Sequence, residues 1–178
     1  MQGPNEKAIR TEATLEGDKN SDRPNKEIYK DMVEELDWSV GRILETLKKY
    51  KLDKNTFVVF FSDNGPVINN GGSTGGYRGA KGAPWEGGHR VPGICYMPGT
   101  VKGGTMCKQT VMSFDLFPTM LDMANIHYDD SKKKLDGASL VPLFKGKELS
   151  QRLLFWGNGN KTISVRAVSY THLTLPTT

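Results

Sequence analysis

Residues 56–65 read Thr56-Phe57-Val58-Val59-Phe60-Phe61-Ser62-Asp63-Asn64-Gly65. From Thr56 to Phe61 the run is β-branched and aromatic, with no alternation of apolar and polar positions. A strand covered on both faces has this composition, as in a parallel sheet with helices above and below. The run then stops at a hydroxyl, a carboxylate, an amide and a glycine. In open α/β sheets ligands bind beyond the carboxyl ends of the strands, so chemistry is expected here. Asp63 and Asn64 offer hard oxygen donors, suited to calcium or magnesium more than to zinc or copper. The same tetrapeptide is also a common turn, because Asp, Asn and Gly tolerate unusual backbone angles.

Upstream, Tyr29, Met32, Val33, Leu36, Val40, Ile43, Leu44 and Leu47 recur at steps of three and four. That spacing predicts an amphipathic helix. Asn25 or a neighbour is expected to cap its start. Lys48, Lys49 and Lys51 suit the negative end of its dipole. A turn at Asp53–Asn55 joins it to the apolar strand, giving the helix–loop–strand unit of α/β folds.

Downstream, Ser62 to Arg90 is long and rich in glycine, the mark of a functional loop or of disorder. Lys81, in Tyr77-Arg78-Gly79-Ala80-Lys81-Gly82, lies between small residues. Its ammonium has room to approach an anion as a point charge. Out of context, a lysine in such a loop reads as simply solvent-exposed. In Trp85-Glu86-Gly87-Gly88-His89-Arg90-Val91-Pro92, Glu86 and Arg90 are spaced for an ion pair. His89 either lines a pocket and donates to an anion or makes a local hydrogen bond. Val91 to Met97 is expected as a second strand and Thr110 to Phe114 as a short one. Asp115 is expected to cap a helix with Pro118 in its first turn. Leu116, Met120, Leu121, Met123 and Ala124 would form that helix's buried side. Ser139 to Phe144 reads as a short helical turn. Leu153–Trp156 and Ile163–Arg166 read as strands around a turn at 157–161.

Taken together and in this order, these elements resemble the formylglycine-dependent sulfatase family, which has an alkaline-phosphatase-like fold. The resemblance runs from Tyr29 to Arg166. It includes Phe114-Asp115-Leu116-Phe117-Pro118-Thr119 and Leu135-Asp136-Gly137-Ala138-Ser139-Leu140-Val141-Pro142-Leu143. It implies an α/β sandwich with a mostly parallel sheet flanked by helices, incomplete here, plus the start of a smaller C-terminal subdomain. It also implies hydrolysis of sulfate esters by a formylglycine, made from a cysteine or serine, with a divalent cation, usually Ca2+ (Mg2+ possible). By position, Asp63 and Asn64 match the later pair of metal ligands. Lys81 matches the catalytic lysine that contacts sulfate oxygens, and His89 is assigned to substrate binding. Transition-state charge spread over sulfate oxygens suits a metal and a fixed cation.

The family's nucleophile box, Cys or Ser-x-Pro-x-Arg, does not occur in the sequence. The early Asp pair and the upstream lysine and histidine are likewise unmatched. The chain is therefore expected to be an internal or C-terminal fragment, inactive by itself. A phosphate or phosphonate ester hydrolase of the same fold, and a non-catalytic relative, are the competing readings. The expected substrate is a sulfated small molecule or glycan. Family membership alone suggests a periplasmic or secreted full-length protein.

The layout that follows is a polar loop segment over residues 1–24 and part of a catalytic domain over 25–145. The start of the C-terminal subdomain follows over 146–167. Residues 168–178, Val168-Ser169-Tyr170-Thr171-His172-Leu173-Thr174-Leu175-Pro176-Thr177-Thr178, resemble one reading frame of a sequencing adapter and are set aside as a scar.

Composition excludes other classes. In 178 residues, 37% hydrophobic and 25% charged, there is material for a sizeable core. The formal charge of +4 is spread along the chain, without the basic, aromatic-interleaved stripe of a nucleic-acid surface. No apolar run approaches the length of a membrane span. Cys95 and Cys107 lack CxxC spacing and read as separate thiols, although one pair could close a loop.

Overall fold

A computed structural model describes residues 23–131, 133–157, 162–167 and 170–176. The polar segment expected over 1–24 lies almost wholly outside them, as does the turn expected at 157–161 apart from Gly157, which ends a strand. The chain divides into two compact units, the first ending at Ile94 and the second beginning at Cys95.

The first unit opens with α1 (Asn25–Lys49), the helix that the spacing predicts. Its start differs from expectation. The helix is preceded by Pro24 and has no side-chain cap, while the Asn25 amide instead donates to the Asn69 carbonyl at 3.4 Å. The helix ends where Lys51 takes φ 58°, and the Leu52 N–H donates back to Leu47 O at 2.8 Å. The apolar stripe is present but contributes no buried residue; Met32 is 65% and Ile43 56% exposed. After a 3₁₀ turn at Asp53–Asn55 comes β1 (Val58–Phe61). β1 forms a two-stranded sheet with β2 (Gly93–Tyr96), which straddles the division between the units. Between the strands lie a 3₁₀ turn at Ile68–Asn70 and a single helical turn, α2 (Glu86–His89), where the sequence suggested only loop.

The second unit contains α3 (Leu116–Met123), α4 (Val141–Phe144) and an antiparallel sheet of β3 (Leu153–Gly157), β4 (Thr162–Ala167) and β5 (Tyr170–Pro176). β3 and β4 pair in the register Leu154↔Arg166 and Phe155↔Val165. Leu154 is buried while Leu153 and Phe155 are exposed, as the two-residue period of a strand requires. The tail set aside in the sequence is drawn in as β5, paired with β4 through Val165↔Leu173.

Two expectations fail in the second unit. Thr110 to Phe114 form no strand, and residues 113–115 turn as a 3₁₀ helix instead. The cause is a local side-chain bond. The Met112 N–H donates to the Asp115 carboxylate at 2.7 Å, three residues on, which holds the chain in a turn in place of extended backbone. The expected apolar face of α3 is also wrong in part, because Met120 is 51% exposed while Asp115 and Thr119 are fully buried. Thr119 Oγ1 donates to the Asp115 carbonyl at 2.6 Å and accepts from the Leu140 N–H at 2.9 Å. Asp115 also accepts from the Ala138 N–H at 2.9 Å and from both terminal nitrogens of Arg152. Asp115 does sit at the head of the helix as expected, but its side chain makes no cap bond to α3; it caps the preceding 3₁₀ turn and is the hub of the unit.

Candidate active site

Three glycine-bearing motifs of the first unit close on one another through their backbones. The Gly65 N–H, at the end of Ser62-Asp63-Asn64-Gly65, donates to the Gly88 carbonyl at 2.8 Å. The Gly87 N–H donates to the Arg78 carbonyl at 2.8 Å. The Lys81 N–H donates to the Pro66 carbonyl at 3.0 Å. Each motif thus bonds to the other two, and none of these bonds exists within a single secondary-structure element.

The glycines are there because the chains touch. A Cβ at Gly65 would collide with the Gly87 carbonyl, one at Gly87 with the Gly79 carbonyl, and one at Gly88 with the Ala83 carbonyl. All three glycines are buried. Without a side chain, backbone can approach backbone closely enough to share hydrogen bonds.

Charged side chains around this knot fall into two groups. One group is committed. Arg90 pairs with Glu86 at 2.9 Å and lies over the Tyr77 ring at 4.4 Å, as Arg78 lies over Trp85 at 3.8 Å. Each cation–π contact contributes about 0.5–1 kcal/mol at an exposed site. These pairs pin the lysine-bearing motif to α2. The Glu86–Arg90 pair is as the sequence predicts.

The second group is uncommitted. Asp63 and Lys81 are exposed, and among the described residues neither side chain has a hydrogen-bond or ion-pair partner. Asn64 is half-buried; its carbonyl accepts from Ser62 Oγ at 2.9 Å, which fixes the bend at the end of β1. The structure therefore brings the Asp63-Asn64 pair and Lys81 into one small region, with Lys81 bonded two residues beyond Asn64. His89 follows Gly88 in the same knot, but its Nε2 lies 3.2 Å from the Pro84 carbonyl. That carbonyl can only accept, so Nε2 carries the hydrogen.

A shallow depression open to solvent adjoins Lys81, lined also by Pro66, Val67, Ile68, Asn69 and Ala80. Sequence reading missed this wall, since a polar glycine-rich loop carries no periodic signal. The one available hint was the apolar pair Val67-Ile68 inside it.

A divalent cation fits the donors present. Asp63 supplies an uncommitted carboxylate beside an amide, both hard oxygen ligands. Among the described residues no cluster of three or more His, Cys, Asp or Glu side chains stands together. Asp63 and Asn64 would thus be part of a ligand set.

An ordered backbone knot at the carboxyl end of β1, beside a helix–strand unit, makes this an α/β chain, and the solved structures it superposes on give the class, an alkaline-phosphatase-like fold. The solved structure of Ps i-CgsB with k-i-k-neocarrahexaose superposes with a TM-score of 0.73 over 93% of this chain and 38% of its own, at 26% identity. The PsFucS1 sulfatase from Pseudoalteromonas sp. gives a TM-score of 0.67 at 29% identity, over 77% of this chain and 28% of its own. The sulfatase family model matches residues 4–126, and this chain belongs to the sulfatase family. The steryl-sulfatase of Homo sapiens is 39% identical over 133 residues, 70% of this chain and 22% of its own length. The N-acetylgalactosamine-6-sulfatase of Canis lupus familiaris is 37% identical over 146 residues, 80% of this chain and 28% of its own. The chain thus spans about a quarter of the length of these curated relatives. The family uses a metal and a formylglycine in general. Among the described residues no helix is long and apolar enough to cross a membrane.

Proposed function

We propose that the full-length protein hydrolyses sulfate esters and that this chain supplies part of its metal site and one sulfate-binding cation. The observation that carries the reading is the backbone knot of residues 65, 78, 81, 87 and 88, beside which Asp63, Asn64 and Lys81 stand with both charges uncommitted among the described residues. Uncommitted charges on an otherwise paired, rigid framework are what binding an oxyanion and a cation requires.

Each residue has a defined task. Asp63 and Asn64 would hold a divalent cation, Ca2+ in preference to Mg2+, because oxygen donors on adjacent loop residues suit a flexible coordination shell. That cation would supply charge neutralisation at the sulfate oxygens. Lys81 presents its ammonium to the same anion and stabilises the charge that grows on sulfate and leaving oxygens. Gly65, Gly87 and Gly88 keep the three groups in register. His89, held through Nε2 against the Pro84 carbonyl, follows Gly88 in the knot and would line the substrate side of the site. No Cys or Ser-x-Pro-x-Arg box occurs in these 178 residues, so the chain alone should not turn over substrate. The same reading makes the substrate a sulfated small molecule or glycan and the full-length protein periplasmic or secreted.

The test is hydrolysis of 4-nitrophenyl sulfate by the full-length protein, with and without chelator. Lys81→Gln should lower kcat/KM on the order of 10²–10³-fold, as loss of a transition-state charge partner does. Faster turnover of 4-nitrophenyl phosphate would favour the phosphate-ester alternative. Lack of turnover of either ester by the full-length protein would favour the non-catalytic one.

A further inference from the structure

Lys81 is placed by its backbone alone, because its side chain has no hydrogen-bond or ion-pair partner among the described residues. It stands at the second position of a β-turn over Ala80-Lys81-Gly82-Ala83, closed by the Ala83 N–H donating to the Ala80 carbonyl at 2.9 Å. Gly82, at the third position, takes φ 83°, the left-handed angle that a type II turn requires there. The turn fixes Lys81 against its immediate neighbours. It does not fix the turn itself against Asp63 and Asn64, because Gly79, just before it, also has φ 83° and a wide choice of other backbone angles.

Trp85 holds that entry. A Cβ at Gly79 would lie 3.0 Å from Trp85 Cβ and 3.2 Å from its Cδ1, so the glycine rests directly against this side chain. The Arg78 guanidinium lies over the same ring at 3.8 Å. The two residues that lead into the turn thus both seat on one half-buried side chain, immediately before α2. Among the described residues no carboxylate pairs with Arg78, so the ring face is what fixes its guanidinium. The neighbouring stack is different in kind, since Arg90 is tied to Glu86 at 2.9 Å as well as lying over Tyr77.

We propose that Trp85, acting through the stacked Arg78 guanidinium, is a positioning residue for Lys81: it sets where the ammonium stands and so how firmly an oxyanion is held. The proposal rests on the anion-binding reading of Lys81 and adds to it a side chain that touches neither substrate nor metal. A lysine is a point charge on a flexible stem, so its aim depends on where its backbone is kept. Attraction to an anion falls with distance, and a turn left to pivot at Gly79 is out of range part of the time. A charge already in place stabilises an anion without reorganising. The chemistry of the brace suits the task. An aspartate or glutamate could hold Arg78 equally well, but it would set a negative charge beside the incoming sulfate. The face of an indole holds the guanidinium and brings no net charge.

The experiment titrates the 178-residue chain with inorganic sulfate and reads the affinity from the amides of Ala80, Lys81, Gly82 and Ala83 by ¹H–¹⁵N NMR. Trp85→Leu, which keeps an apolar side chain but no ring face, should weaken sulfate binding about two- to fivefold, the size of the contact removed. Trp85→Phe, which keeps a ring face, should restore most of the affinity. Arg78→Gln should match Trp85→Leu, and the double variant should lose no more than either alone, because both break one stack. Arg78 is exposed, so Arg78→Gln retains the fold and decides the case by itself if the ring variants do not fold. Unchanged affinity in Arg78→Gln, or equal affinity in the Leu and Phe variants, would overturn the proposal. A further loss in the double variant would make Arg78 an anion ligand in its own right and overturn the positioning role. The two readings fail separately. If Lys81→Gln abolishes sulfate binding while Trp85→Leu and Arg78→Gln bind as wild type, the anion site stands and the positioning role falls. If Lys81→Gln changes nothing, the anion site falls and takes the positioning role with it.

Discussion

Two aspartates in this chain are handled in opposite ways. Asp115, in the second unit, is fully buried and accepts from the Met112 and Ala138 backbones and from Arg152. Asp63, in the first unit, is exposed and has no partner among the described residues. The first is a carboxylate spent on the fold. The second is a carboxylate kept for a ligand, held by a framework that satisfies its own backbone without it. Their difference separates structural from functional charge more sharply than sequence position does, since both follow an apolar segment and both sit at a chain turn.

The largest expected effect comes from breaking the buried pair. Asp115→Ala should destabilise the second unit by about 3–5 kcal/mol, because Arg152 and the Met112 and Ala138 donors are left without their partner. Urea unfolding followed by circular dichroism measures it. If Asp115→Ala unfolds at the wild-type midpoint, Asp115 is no hub.

Next is the backbone knot. Gly87→Ala should cost about 1–3 kcal/mol through collision with the Gly79 carbonyl. Gly93→Ala, where a Cβ meets nothing within 4 Å, should stay within about 0.5 kcal/mol of wild type. Equal losses in the two variants would remove the steric account of the knot.

Asp63→Asn should change stability by less than about 0.5 kcal/mol, the range of ordinary surface substitutions. It should nevertheless weaken calcium binding clearly, which sharpens the contrast with Asp115. Equilibrium unfolding and calcium titration of the same sample read both effects.

The smallest effect is at the thiols. Burial pushes the Cys95 pKa up, whereas Cys107 is exposed. Iodoacetamide at mildly alkaline pH should therefore label Cys107 roughly tenfold faster, as thiolate fraction and access dictate. The sign of the linkage follows. A thiol whose folded pKa lies above its unfolded value adds stability that is full below the unfolded value and lost as pH rises through the folded one. Cys95→Ser should flatten that alkaline decline. A Cys95 labelled as fast as Cys107 would show that its burial is not maintained in solution.

What the sequence disclosed depended on whether the signal was periodic or local. α1 and β1 were legible because packing stamps a period, or a continuous apolar run, onto neighbouring residues. The Glu86–Arg90 pair was legible because its partners are one helical turn apart. The Asp115–Arg152 pair was not, since 37 residues separate its members and no local pattern announces either. Thr119 was passed over on α3 because a buried hydroxyl with two backbone partners looks polar in a sequence. At the candidate site, Asp63, Asn64, Lys81 and His89 could be picked out from their glycine context. The bonds that join their motifs could not, because backbone hydrogen bonds between loops leave no mark except the glycines that make room for them.

The account depends most directly on Asp63 and Asn64 gripping a divalent cation while Lys81 faces the accompanying anion. Titrating the chain with millimolar calcium in the presence of sulfate, with ¹H–¹⁵N NMR as readout, tests it. The account predicts saturable shifts at the amides of Asp63, Asn64 and Gly65, a further shift at Lys81 on adding sulfate, and loss of both in Asp63→Asn. Calcium shifts scattered over the exposed carboxylates, with residues 63–65 and 81 unmoved, would contradict it.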